Sequence, residues 1–283
     1  MGVVGKVNVP QNAISHANKP FLLTIPHSGE RVPAETPWLQ NLPETLLMCD
    51  VDRYVDKLYD KAIRELGLPF VKTEWHRYAI DLNRLPDDVD ADSVEGHANP
   101  SGKFPRGLHW LITTKRERLL PKPMSKALHD DLVAKYFEPF HASVRAEMNA
   151  LKVRGATRIF HIDAHSMPAM GTSEHPDPGE TRADAVISDC DGTSCSPFFR
   201  DLVVASYEKA GFKVRVNWPY KGGRVTQTYG KPDRGQESIQ VELNRGLYMN
   251  EASKALLHEK LGAMQDRLKQ AVNGVLAGLP DLS

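Results

Sequence analysis

The chain reads as an α/β protein with a mostly parallel central sheet, and three observations predict this. Short apolar runs rich in β-branched residues alternate with amphipathic stretches of helical period, the pattern of βαβ units. Three of the runs end in polar residues, as strands do where a sheet opens on a binding edge. The chain is also long enough, at 283 residues and 41% hydrophobic, to bury a sizeable core.

Residues 1–18 are expected to form a loosely structured N-terminal arm. Residues 21–25, FLLTI, stop at Pro26 and predict a buried strand. Residues 46–66 predict a helix with Val51, Val55, Leu58, Tyr59 and Ile63 on one face. Residues 70–75 and 78–82 read as extended. Residues 86–123 are rich in Asp, Gly and Pro; so long a loop reads as a functional excursion. Residues 125–153 carry Leu128, Leu132, Tyr136, Phe140, Val144, Met148 and Leu151 at helical spacing, with a kink expected at Pro139. Strands are expected at 158–163, 185–187, 213–216 and 238–243, and helices at 197–210 and 252–276. No internal repeat appears, so 1–283 is expected to be a single α/β domain.

Lys plus Arg and Asp plus Glu both number 36, so no net field draws the chain to nucleic acid or to an anionic membrane. The N-terminal residues lack the apolar core of a secretory signal, and no apolar run is long enough to span a bilayer. Cys49, Cys190 and Cys195 make neither a disulfide framework nor a CxxC metal knuckle. A cytoplasmic protein is expected. A small acidic ligand would need local basic groups, because bulk charge offers none.

Three segments place chemistry at strand ends: IPHSGE at 25–30, HIDAHS at 161–166 and QVELNR at 240–245. In a parallel sheet all three open on one edge, which brings two histidines and a carboxylate together. Two imidazoles, a carboxylate and a place for water describe a catalytic zinc site. Zinc lowers the pKa of its water to about 7, and a further carboxylate can carry the proton to a leaving nitrogen. His161 lies inside its strand and reads as structural. Asp163 either holds a ligand imidazole or is a buried acid paired with an Arg. Glu30 completes an HxxE with His27, or faces solvent beside a turn at Gly29. Cys195 has no base partner, and no GxSxG elbow is present for a serine nucleophile.

Seven segments in order carry a family resemblance: IPHSG at 25–29, DVDRYVDKLYDKA at 50–62, RYAIDLNR at 77–84, IDAHSMP at 162–168, GTSCSP at 192–197, YKGGRVTQTYG at 220–230 and IQVELNRGLYM at 239–249. Across residues 21–249 the chain resembles the N-formylglutamate amidohydrolase (N-formylglutamate deformylase) family. The resemblance implies a phosphorylase/hydrolase-like three-layer sandwich, similar to zinc carboxypeptidases and zinc N-acetylmuramoyl amidases. It implies zinc, or another divalent transition metal, on His27, Asp52 and His165, with Asp50 and Glu30 as alternative carboxylates. Asp56 is expected on the same helical face as Asp52. Glu242 matches the general base and acid of the related amidases.

The implied reaction is hydrolysis of the N-formyl amide of N-formyl-L-glutamate. Zinc holds the water and polarises the formyl carbonyl, Glu242 moves the proton, and formate and L-glutamate leave, a step of histidine catabolism. The two substrate carboxylates call for Arg forks, with Arg77 and Arg84 first, Arg224 third and Asn83 adding a hydrogen bond. Thr193 and Ser194, before a helix at Pro197, form either a backbone-amide anion site or an ordinary cap. Spacings in 87–118 depart from the family pattern, so that loop is expected to shape substrate choice. The rival readings are a zinc amidase for another N-acyl amino acid or a peptidoglycan fragment, and a non-catalytic ligand-binding relative.

Overall fold

The computed structural model describes Val3, Val4, His16 and residues 18–282. The expected arm over 1–18 lies almost wholly outside them. Seven strands form one sheet: β1 (Val3–Val4), β2 (Phe21–Ile25), β3 (Phe70–Lys72), β4 (Ile159–Met167), β5 (Ala185–Ser188), β6 (Val214–Val216) and β7 (Gln236–Asn244). Their order is β1-β3-β2-β4-β7-β5-β6. Strands β3, β2, β4 and β7 run parallel. Strand β1 is antiparallel to β3, and β5 to β7.

Short helices α1 (Pro37–Gln40) and α2 (Glu44–Leu47) precede α3 (Val55–Leu66). Then come α4 (Lys126–Leu132), α5 (Glu138–Val153), α6 (Pro197–Lys209), α7 (Arg224–Tyr229) and α8 (His258–Gly278). Ser125 and Ser196 cap α4 and α6 by accepting the backbone N–H of Leu128 and Phe199.

Side-chain alternation sorts the layers. Phe21, Leu23 and Ile25 of β2 share one apolar core with Phe160, Ile162 and Ala164 of β4, Ile239, Val241 and Leu243 of β7, and the inner faces of α3, α6 and α8. On the opposite face Leu22, Val71 and Ile159 pack with α5, α7 and apolar residues of the 86–123 excursion. The sheet therefore lies between two layers, a three-layer α/β arrangement. The second face of β4 presents His161, Asp163 and His165, and that of β7 presents Ser238, Gln240 and Glu242. In the ladder His165 stands opposite Glu242.

Several expected elements differ. The helix expected over 46–66 is broken: α2 ends at Leu47 and α3 begins at Val55. The Asp52 N–H donates to the His27 carbonyl at 3.0 Å, and Tyr54 takes a left-handed φ of 71°, so the chain turns toward the end of β2. Asp56 consequently lies in α3, bonded to Lys72, and shares no helical face with Asp52. Residues 78–82 form turns, not a strand, because Asp81 collects donors from several directions. The expected strand over 70–75 ends at Lys72. The long helix is interrupted by a π-helical turn, Val133–Phe137, and Pro139 sits in the first turn of α5, where its missing N–H costs nothing. The last helix begins at His258, after a small hairpin of β8 (Met249–Asn250) and β9 (Ala255–Leu256). Among the described residues, no helix is long and apolar enough to cross a membrane.

Three histidines outside the sheet are buried and bonded as neutral rings. His76 donates from Nε2 to the Leu47 carbonyl and accepts the Tyr78 N–H. His109 donates from Nδ1 to Ala79 O, and His141 from Nε2 to Leu82 O. Burial, only partly opposed by these carbonyls, pushes each pKa down to about 4. An unfolded histidine titrates near 6.5, so between roughly pH 6.5 and 4 the unfolded chain binds more protons. Their stabilisation is full above that window and lost as pH falls through it, up to about 3 kcal/mol for each ring. Three such losses are comparable to a whole domain's stability of about 5–15 kcal/mol. We expect the urea midpoint of chelator-treated protein to fall steadily from pH 7 and the chain to unfold before pH 4. A flat midpoint across this range would show that these rings are not held neutral.

Candidate active site

A cavity of about 290 Å³ opens where β2, β4 and β7 end. This is the edge at which parallel sheets bind ligands. His27 enters it just past β2, His165 near the end of β4, Glu242 near the end of β7, and Asp52 from the α2–α3 loop. The His27 turn is tight: a Cβ on Gly29 would come within 2.5 Å of the Glu74 and Trp75 backbone. Only a residue without a side chain fits there.

His27, Asp52 and His165 present one ligand atom each within 4.8 Å of one another, and all three residues are buried. His165 Nδ1 donates to Asp52 Oδ2 at 2.9 Å, and His27 Nδ1 lies 3.6 Å from the same oxygen. The two rings meet edge to face, with centroids 4.8 Å apart. Each ring is backed by a carboxylate on its far nitrogen. His27 Nε2 donates to Asp81 Oδ1 at 2.7 Å, and His165 Nε2 to Asp163 Oδ2 at 2.9 Å. These partners fix both rings with Nδ1 facing Asp52, the orientation a metal needs. The donor set therefore fits a divalent cation held by two Nδ1 atoms and one carboxylate oxygen.

The supporting bonds run across three strands. Thr24 donates to Asp163 Oδ1 at 2.6 Å and accepts from His161 Nε2 at 2.8 Å. His161 Nδ1 in turn accepts from Ser238 Oγ. Burial holds the His161 pKa down to about 4, so it is a neutral link in this chain. Asp81 also accepts from Trp110 Nε1, Arg77 Nη2 and the Asn83 N–H.

Burial opposes ionisation of Asp52, but the hydrogen bond from His165 and the nearby His27 ring outweigh it and hold the carboxyl well below its ordinary range. Burial likewise opposes charge on His165, yet the Asp163 charge and bonds to Asp163 and Asp52 raise its pKa well above the usual value. Glu242 behaves oppositely. Burial, countered by His165 and reinforced by the Asp52 charge, pushes it up to about 7. Gln240 Nε2 donates to Glu242 Oε1 at 2.9 Å and orients it. A carboxylate with a pKa near neutrality suits reversible proton transfer.

The remaining predicted residues divide. Arg77, Asn83 and Arg84 line the cavity. Arg77 is committed to Asp81 and the Asp50 carbonyl and lies over Trp110. Among the described residues, Arg84 donates only to the Asn83 and Arg106 carbonyls. Asn83 Oδ1 accepts the Val225 N–H, which ties the first turn of α7 to the site. Arg224 does not line the cavity; it points to Asp88 and Gln227. Thr193 and Ser194 also lie elsewhere, bonded to the Cys190 and Ser238 carbonyls.

Glu30 is paired with Arg53, and Asp50 accepts from Tyr78 and Thr114; neither joins the ligand group. Burial raises the pKa of the Cys195 thiol, so no thiolate nucleophile forms there. Sequence reasoning missed Arg245, which donates to Asp52 Oδ1 at 3.0 Å and to Ser166, and also Asp81, Gln240 and Arg106. All lie in segments already singled out, Arg106 in the 86–123 excursion, but no spacing indicated their partners.

Fold and site define a hydrolase-like α/β protein with a candidate metal centre at the sheet edge. The model of the N-formylglutamate amidohydrolase family matches residues 19–249, and the chain belongs to that family. It is 29% identical over 264 residues to the N-formylglutamate deformylase of Pseudomonas putida, covering 91% of this chain and 92% of that protein. With the N-formylglutamate deformylase of Pseudomonas aeruginosa (strain PAO1) it shares 30% identity over 237 residues, covering 82% and 83%. The crystal structure of N-formylglutamate amidohydrolase from Ralstonia eutropha JMP134 superposes with a TM-score of 0.82 at 26% identity, covering 96% of each chain.

Proposed function

We propose that the chain hydrolyses the formyl amide of N-formyl-L-glutamate, releasing formate and L-glutamate in a zinc-dependent reaction. The observation that carries this reading is the buried His27–Asp52–His165 group with Glu242 directly across the ladder from His165. Zinc favours two imidazoles and one carboxylate and, when bound, would supply Lewis acidity toward the carbonyl and a more acidic water. Its holders would be Nδ1 of His27, Oδ2 of Asp52 and Nδ1 of His165.

The residues of the chain divide the remaining work. Asp81 and Asp163 keep the two rings aimed. Arg245 binds the second oxygen of Asp52, leaving Oδ2 to face the rings. Glu242 takes the proton of the attacking water, and its pKa of about 7 lets it return that proton to the departing glutamate nitrogen. Water adds to the formyl carbon, the C–N bond breaks, and the amine leaves neutral. Arg84, lining the same cavity without a carboxylate partner of its own among the described residues, is placed to meet a substrate carboxylate.

Metal-replete protein is expected to release formate from N-formyl-L-glutamate, and a chelator should abolish the release until zinc is restored. Zinc-loaded protein that releases none would reject the substrate. A panel of other N-acyl amino acids would then test the amidase alternative.

A further inference from the structure

The cationic groups lining the cavity are unequally committed. Arg77, partly buried, and Arg245, buried, are bound to Asp81 and Asp52. Lys221 is paired at the surface with Asp191. Arg84 and Arg106 differ: Arg84 Nε donates to the Arg106 carbonyl at 2.9 Å, so the two lie side by side on one wall. Arg106 belongs to the 86–123 excursion, and Arg84 stands just before it. Among the described residues, the acidic partner of Arg106 is Glu174, from the β4–β5 loop, which also lines the cavity. Glu174 Oε2 is 3.4 Å from Arg106 Nη1, whereas its other oxygen accepts from Arg116 Nε at 2.7 Å. Two guanidinium groups, those of Arg106 and Arg116, thus share one carboxylate, and the contact facing the cavity is the long one.

We propose that Arg106, beside Arg84, binds the side-chain carboxylate of the substrate and that Glu174 is its internal stand-in, displaced when substrate enters. Glu174 keeps its bond to Arg116, whose side chain is 75% exposed, so release from Arg106 strands no charge. The geometry of the ligand supports the placement. The α-carboxylate of an N-formyl amino acid is one carbon from the amide nitrogen and must stay near the reacting atoms. The side-chain carboxylate of glutamate reaches two methylene groups further and needs a separate cationic wall. Arg106 and Glu174 then set the preference for an N-formyl diacid over its neutral amide. This assignment rests on the deformylase reading.

The test compares kcat and KM for N-formyl-L-glutamate and N-formyl-L-glutamine in zinc-loaded wild type, Arg106→Met, Arg106→Lys and Glu174→Gln. In Arg106→Met the diacid-over-amide ratio of kcat/KM is expected to fall by about 10- to 100-fold, mainly through KM for the diacid. Arg106→Lys should restore part of it. Glu174→Gln, at a partly exposed position that tolerates the isostere, should lower KM for the diacid by about two- to fivefold. A wild type that turns over the diacid, with the ratio unchanged in both Arg106 variants or with KM raised in Glu174→Gln, overturns the subsite and leaves the deformylase reading standing. A zinc-loaded wild type that releases no formate removes that reading and the subsite with it.

Discussion

Glu242→Gln is expected to bind zinc normally and to lose turnover by about 10²–10⁴-fold. The substitution preserves shape and an acceptor oxygen for Gln240, and it alters no member of the ligand group. What it removes is the proposed proton carrier. The loss should fall on kcat, because in the proposed reaction the side chain acts on the water and the leaving nitrogen while other residues hold the substrate carboxylates. Metal stoichiometry after dialysis and steady-state formate release read the two properties separately. A variant that retains full activity would sink the assigned proton transfer, and one that loses its metal would move Glu242 into the ligand group.

His165→Ala should lose both properties. The ring would supply one of the three proposed ligand atoms, and it bonds two buried carboxylates, Asp52 and Asp163. Removing one partner of a buried charged network costs about 3–5 kcal/mol. The variant is therefore expected to unfold at markedly lower denaturant, to retain no zinc at micromolar concentrations and to show background formate release. Asp163→Asn separates the roles. It keeps the ligand and weakens only the support of the ring, for which a 10–100-fold loss of metal affinity is expected. If His165→Ala kept stoichiometric zinc, the ligand set would be wrong.

Much of the frame was legible in the sequence. The alternation of strand and helix periods identified β2, β4, β5, β7, α6 and the helical run from α4 through α5 to within a few residues, because each buries a continuous apolar face. The edge on which His27, His165 and Glu242 meet follows from a parallel sheet alone. Asp52 was harder. Val51 and Val55 keep helical spacing with Leu58, so local pattern continues through a region that tertiary bonding breaks; the His27 carbonyl wins the Asp52 N–H. Of the carboxylates behind the rings, Asp163 was ambiguous and Asp81 was missed, for a related reason. Asp163 and Asp81 acquire their meaning from side chains 139 and 54 residues away, Thr24 and His27, and no local spacing encodes such pairs. Arg224 misled because an Arg after two glycines looks poised for a ligand, yet the first turn of α7 aims it at Asp88.

The two-sided character of β4 and β7 has a bearing on how such a protein can change. Their odd and even positions serve different masters, one an oily layer and the other a reaction centre. A single-residue insertion within either strand would exchange these allegiances, sending His165 or Glu242 into hydrocarbon. The reading frame of the chemistry is thus fixed by parity. The stretches carrying Arg106 and Glu174 obey no such parity, since they are loops, and can lengthen or shorten without disturbing it. Retailoring the ligand preference by loop grafting is therefore a design route that leaves the proton-handling strands untouched.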